Sequence, residues 1–349
     1  MGKSKFYIEH EGKVVEIGSK FEHVMAIALD PFSKHKNGII RCIVSREGDV
    51  TESGYIDRSA LYRISGNSLY KFEIGEKLKI EDDEKIADKI KGKGGDFLGL
   101  EDPDIWRDEN TGFIHVYFTM PIKDKNKDGY NIHLGHAVGK DLDSLEMTKP
   151  TLMGSPLRGA KEVSIAPINS KGFRYNLVES SKKGKYFTYS TVRVAIAKDM
   201  GKPWKFGDTL FNPGDHNISW IGGHASPGPL LPESFINVGN GKRLGILNGR
   251  EANKEIGKKT IHGMFSVGLF IYDYENGKID WVSTEPLIID SEARTITFAS
   301  QFVETKVGEG ILYAHVDDSF VRAYTLNGEA IKTLLPAVNK KQCTQSVRS

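Results

Sequence analysis

Short runs of alternating apolar and polar residues, cut apart by Gly, Asn and Asp, dominate this chain, and few stretches carry the spacing of an amphipathic helix. The pattern predicts strands over Gly38–Val44, Phe113–Met120, Asn131–Val138, Arg174–Val178, Thr191–Ala197, Arg243–Leu247, Ser266–Tyr272 and Gly310–His315. Glu81–Ile90 is the main exception and predicts a short helix. Three of the strand runs belong to a loose repeat. Ile132–Leu142 leads on to Lys149–Met153, Val192–Met200 to Trp204 and Asp208–Phe211, and Val267–Asp273 to Trp281 and Glu285–Ile288. Each unit is a strand ending near an Asp, a turn, and a short apolar strand roughly ten residues later. The Asp residues lie 58 (141 to 199) and 74 (199 to 273) residues apart, close to one four-stranded blade with variable loops. A chain of 349 residues has room for about five such units. The expected fold is therefore all-β, a single five-bladed β-propeller over residues 1–338 with a polar C-terminal tail at 339–349. A β-sandwich is the alternative.

Composition narrows the partners. The 48 basic and 46 acidic residues nearly cancel, leaving +2 spread over the chain, with no basic footprint for nucleic acid and no polybasic membrane patch. Lys85, Lys89, Lys91 and Lys93 follow Glu81–Glu84 directly, which reads as a solvated mixed-charge segment. Cys42 and Cys343 are too far apart to suggest a metal site or a disulfide framework, and Cys42 reads as a buried apolar side chain. Met1–Lys5 opens onto polar sequence without an apolar signal core, and no run approaches a membrane span of ~18 apolar residues. A cytoplasmic location is the expectation. No cluster has metal-ligand spacing, and neither a phosphate-cradling Gly-Lys-Ser/Thr loop nor a Gly-x-Ser-x-Gly elbow is present, so no metal or cofactor is expected.

The candidate chemistry centres on Glu101-Asp102-Pro103-Asp104, just ahead of a strand. Carboxylates this crowded cannot all ionise at their free pKa values, so at least one is expected to be pushed upward. An acid that keeps its proton near neutrality suits glycosidic cleavage. Pro103 restricts its own backbone and that of Asp102, so the carboxylates are held in place. A solvated turn with ordinary surface acids is the plain alternative.

Four stretches together resemble glycoside hydrolase family 130, the β-mannoside phosphorylases and related hydrolases, which fold as five-bladed β-propellers. They are Gly99–Pro103, Trp220–Pro229, Ser266–Asp273 with Glu285–Ile288, and Thr297-Phe298 with Leu312–Asp317, spanning about residues 95–325. The resemblance implies that Asp102 is the general acid and that Asp317, in the closing blade, meets the sugar. It also exposes departures. Asp104 stands where the family has Arg, Glu179 where a phosphate-binding Arg would stand, Trp220 in place of Lys, and Leu247-Asn248-Gly249 in place of Tyr-His-Gly. Phosphate needs Arg or Lys partners, whereas a carboxylate is suited to activating water.

The resemblance with these departures implies inverting hydrolysis of β-mannosides or related oligosaccharides, with Asp102 as acid and Glu179 as base. A cross-strand ion pair with a nearby lysine is the alternative for Glu179. Glu101 and Asp104 are candidate sugar contacts, Asp104 equally a group that raises the pKa of Asp102. His224 is placed to donate to a sugar hydroxyl or to a structural partner. Arg158, Lys161 and Glu162 are candidate anion or sugar contacts at the channel mouth, with a plain surface loop as the alternative. Of Trp106, Trp220 and Trp281, the last recurs in the repeat with Trp204 and reads as blade core, which leaves Trp220 as the better sugar-stacking platform. Two rival functions stay open. One is a β-mannoside phosphorylase holding inorganic phosphate through Arg158, Lys161 or Arg250. The other is a non-catalytic sugar-binding propeller. A homo-oligomer is compatible with all three.

Overall fold

The computed structural model describes residues 4–16, 20–49, 55–124, 129–184, 188–256 and 259–336. The tail expected at 339–349, with Cys343, lies outside the described residues. The eight strands read from alternation are all present and longer than the pattern suggested, and the helix forms at Asp83–Lys91, but the short return strands expected at Lys149–Met153 and Glu285–Ile288 reduce to single bridges at Leu152 and Ile288. In all three repeat units the recurrent Asp shapes a turn: Asp141 accepts from the N–H of Asp143, Asp199 from Gly201 and Asp273 from Asn276. No described helix is long and apolar enough to cross a membrane.

The strands form successive antiparallel meanders. The first comprises Val24–Leu29, Asn37–Glu47, Ile56–Ser68 and Lys71–Lys77. The second comprises Glu101–Arg107, Ile114–Asp124, Tyr130–Gly139 and Leu145–Met147. Lys161–Ser164, Arg174–Lys183, Thr188–Ala197 and Lys205–Phe211 make the next. His224–Leu230, Lys242–Arg250, Phe265–Asp273 and Lys278–Val282 follow. The last, Thr297–Lys306, Glu309–Val316 and Phe320–Asn327, takes its outer strand, Tyr7–Glu9, from near the start of the chain. Both ends of the described chain thus complete one sheet.

The core lies between consecutive sheets. Leu61 packs with Phe118, Leu134 with Val178, Leu177 with Phe270, Leu269 with Leu312, and Ile40 with Tyr313. The last of these clusters sets the final sheet against the first and closes the circle. Covered on both faces, strands such as Ile114–Asp124 are buried almost end to end, and for this reason they read as near-continuous apolar runs.

The opening strands of the meanders pack against one another in sequence, and Thr297–Lys306 meets Val24–Leu29, so they surround a common axis. Each is interrupted at the same place. The pairing register shifts between the partners of Met25 and Ile27, Glu101 and Asp104, Lys161 and Ser164, Pro227 and Leu230, and Ala299 and Gln301. Such bulges re-aim side chains. Here they turn Ala26, Asp102, Glu162, Gly228 and Ser300 towards one cavity of about 170 Å³ on the axis. Ala26, Asp102 and Glu162 adopt left-handed backbone, with φ of 48°, 46° and 50°. For residues with a side chain this costs ~1–3 kcal/mol each, which the surrounding sheets must offset.

Candidate active site

A second cavity, of about 280 Å³, opens where these strands begin, and Asp102 and Glu162 form part of the wall of both cavities. The bulges place them there, side by side. Arg41, 9% exposed, holds the pair's surroundings in place. Its Nη1 donates to Asp102 Oδ1 at 2.8 Å, its Nη2 to Glu101 Oε1 at 2.8 Å, and its Nε to Ser59 Oγ at 2.9 Å. Such a fork suits two carboxylates at once.

The electrostatics separate the acids. Burial pushes Glu162 well above the usual carboxyl range, and the charge of Asp102 beside it adds to the effect. Asp102 is also buried, yet Arg41 and Lys161, with a hydrogen bond from Glu162, hold it below its ordinary value. The two carboxyls therefore share one proton, carried on Glu162 and donated towards Asp102. Burial raises Glu101 to about 7 against the pull of Arg41. It raises Asp104, in the axial cavity behind the pair, to about 7 as well. Within the acidic cluster burial thus shifts Glu101 and Asp104 upward, as it does Glu162 beside them. Asp102, expected to be the general acid, is shifted downward instead.

The structure brings Glu101, Asp102, Lys161, Glu162 and His224 to the larger cavity, with Asp104 just beneath. Other expected site residues are placed differently. Glu179 is 4% exposed and does not line the cavity. Its Oε2 accepts from His224 Nε2 at 3.0 Å and pairs with Lys161 Nζ at 3.5 Å. Despite burial, His224 and Lys161 bring it down to about 2, so it is an anchor for those two residues and a poor base.

Trp220 is no stacking platform. It is 4% exposed, lies over Gly249 and Gly268, and donates from Nε1 to the Ser283 carbonyl at 3.0 Å. Asp317 is not a sugar contact either, because its carboxylate is taken up by the N–H groups of Arg294, Thr295 and Ile296. Arg158 stacks on Phe206 away from both cavities. Arg250 stacks on Phe265 and donates to Asn253, behind the cavity wall.

Other wall residues were not anticipated, among them Arg41, Tyr55, His315 and Asp318. Asp318, next to Asp317, accepts from Tyr55 Oη at 2.8 Å and pairs with His315 Nε2 at 3.1 Å. Arg41 did leave a trace, as a lone charge inside the apolar run Ile39–Ile43, where a buried charge demands partners. Tyr55, His315 and Asp318 come together from opposite ends of the chain and left none.

No family model and no curated protein matches this sequence. Solved structures do. The chain is similar to a β-1,2-mannobiose phosphorylase from Listeria innocua, with 13% identity, coverage of 95% of this chain and 99% of that one, and a TM-score of 0.64. It is similar to a mannose phosphorylase from Leishmania mexicana solved with phosphate, with 14% identity, coverage of 91% and 88%, and a TM-score of 0.53. An endo-arabinase from Bacteroides thetaiotaomicron aligns at 14% identity over 91% and 97%, with a TM-score of 0.53. At such identities the likeness concerns the fold: this chain has the mostly-β, propeller-type architecture on which these sugar-acting enzymes are built.

Proposed function

We propose that this chain is a five-bladed β-propeller that hydrolyses glycosidic bonds in β-mannosides or related oligosaccharides. The recurrence of one bulge in each of five opening strands supports the blade count. The sugar-acting enzymes of like fold support the substrate class. The observation that carries the reading is the Asp102–Glu162 pair with its single proton on the cavity wall. Glu162 protonates the departing glycosidic oxygen. Asp102 stays ionised, orients that proton and stabilises positive charge developing on the sugar ring.

Phosphorolysis is the second reading, favoured by the phosphorylases among the similar structures. Against it, every cationic or imidazole group lining the cavity, among the described residues, already faces a carboxylate: Arg41 faces Glu101 and Asp102, Lys161 and His224 face Glu179, and His315 faces Asp318. A phosphate dianion would have to displace one of them.

Incubation with manno-oligosaccharides, with and without phosphate, tests the reading. Hydrolysis without phosphate is expected, and Glu162→Gln lowers kcat by ~10²–10⁴-fold. Turnover strictly dependent on phosphate would decide for the phosphorylase, and saturable binding without product for a sugar-binding propeller.

A further inference from the structure

We infer that Glu101 is the general base that deprotonates the attacking water, and that Thr119 positions that water beside it. The inference rests on Glu162 being the proton donor at the same site. Glu101 opens the strand that carries Asp102, and its side chain, 13% exposed, lines the same cavity. Arg41 Nη2 and Ser59 Oγ both donate to Oε1, at 2.8 and 3.3 Å. Among the described residues both of these hydrogen bonds land on Oε1 and none on Oε2, on a side chain that lines the cavity.

Thr119 supplies the second, independent observation. It sits directly across from Glu101 on the neighbouring strand, so the two side chains share one face of the sheet. It is 1% exposed and lines the same cavity, yet its hydroxyl has no hydrogen-bond partner among the described residues. Buried hydroxyls are almost always bonded, so one without a partner on a residue of the cavity wall points to a ligand oxygen or an ordered water. A water lodged between Thr119 Oγ1 and Glu101 Oε2 satisfies both. Burial brings Glu101 to about 7, a basicity matched to proton abstraction near neutrality.

The step balances. The water oxygen bonds to the anomeric carbon as the bond from that carbon to the leaving oxygen breaks. Glu101 takes the proton released by the water, and Glu162 gives its proton to the leaving oxygen. The enzyme then returns to its starting state by losing one proton from Glu101 to solvent and regaining one at Glu162.

The test uses 2,4-dinitrophenyl β-D-mannopyranoside, whose leaving group departs without protonation. Glu162→Gln should keep cleaving this probe while losing manno-oligosaccharides. Glu101→Ala should lose both by ~10²–10⁴-fold. Azide should restore cleavage of the probe by Glu101→Ala and yield the α-mannosyl azide, because it replaces the water without needing a base. Thr119→Val, which keeps shape and fold, should lower kcat roughly tenfold with KM little changed, the effect of one hydrogen bond lost in the transition state. A Glu101→Ala variant that is folded by circular dichroism and keeps its rate overturns the assignment of Glu101 alone. So does failure of azide to rescue it, or a β-configured azide product. A wild-type protein inert towards both substrates overturns the reading of the whole site, and this inference with it.

Discussion

A single guanidinium sets much of the charge pattern at this site. Arg41 reaches Glu101, Asp102 and Ser59 with three different nitrogens, and its pull is what keeps a buried Asp102 ionised next to a protonated Glu162. Lysine has one point charge and cannot span the same three groups. Arg41→Lys should therefore release Asp102 towards higher pKa. Arg41 also lowers Glu101, and the proposed mechanism needs both carboxylates ionised, so the acidic limb of the pH–rate profile, set by Glu101, should move to higher pH, with kcat down at least about tenfold. Kinetics across pH on the folded variant check this. At this scale the sequence located the acidic cluster but not the proton. The pKa of each carboxyl depends on Arg41, Lys161 and Glu162, which are 61, 59 and 60 residues from Asp102 in the chain (41, 161 and 162 against 102) and become neighbours only through sheet packing.

Strands differ in how plainly the sequence announces them. All eight predicted strands are second or third strands of a meander, where neighbours on both faces demand long apolar runs. The opening strands, which carry the site, escaped prediction. Pro103, Pro227 and Pro229 interrupt them, and their bulges break the alternation that marks a half-buried strand. Trp220 misled for a related reason. A tryptophan in a Gly- and Pro-rich stretch reads as exposed, but Gly249 and Gly268 leave room for its ring inside the sheet-to-sheet core, where an added Cβ would lie 2.3 and 2.4 Å from it. Trp220→Phe should therefore lower Tm while leaving KM for oligosaccharide unchanged. Calorimetry beside steady-state kinetics distinguishes this from a sugar platform, whose loss would raise KM.

For the molecule as a whole, the buried acids tie stability to pH. Glu101, Asp104 and Glu162 have folded-state pKa values above those of the unfolded chain, so the unfolded state loses their protons first. Their contribution is fully favourable below about pH 4, the unfolded values, and is lost as pH rises through about 7 for Glu101 and Asp104 and through the raised folded value for Glu162. Glu179 has the opposite sign: its folded value is about 2, and its contribution is lost as pH falls towards that value. Stability is thus expected to peak in mildly acidic solution and to decline towards neutrality. Asp104→Asn removes one source of that decline, so it should raise Tm at pH 8 more than at pH 5. Thermal melts at the two pH values test it, and an equal shift at both would contradict the burial argument for Asp104.

The sequence by itself determined the mostly-β character, the Asp-turned repeat and the acidic segment at 101–104, because each is written in local pattern: apolar periodicity, turn chemistry and adjacent charges. Tertiary structure decided in which direction burial and charge shift each carboxyl, that Glu179 and Asp317 are anchors, that Trp220 is core, and that Arg41, Thr119 and Asp318 reach the cavity. Those facts depend on burial and on charges brought together around the axis from distant strands, and neither distance nor solvent exclusion is encoded in any short stretch of chain.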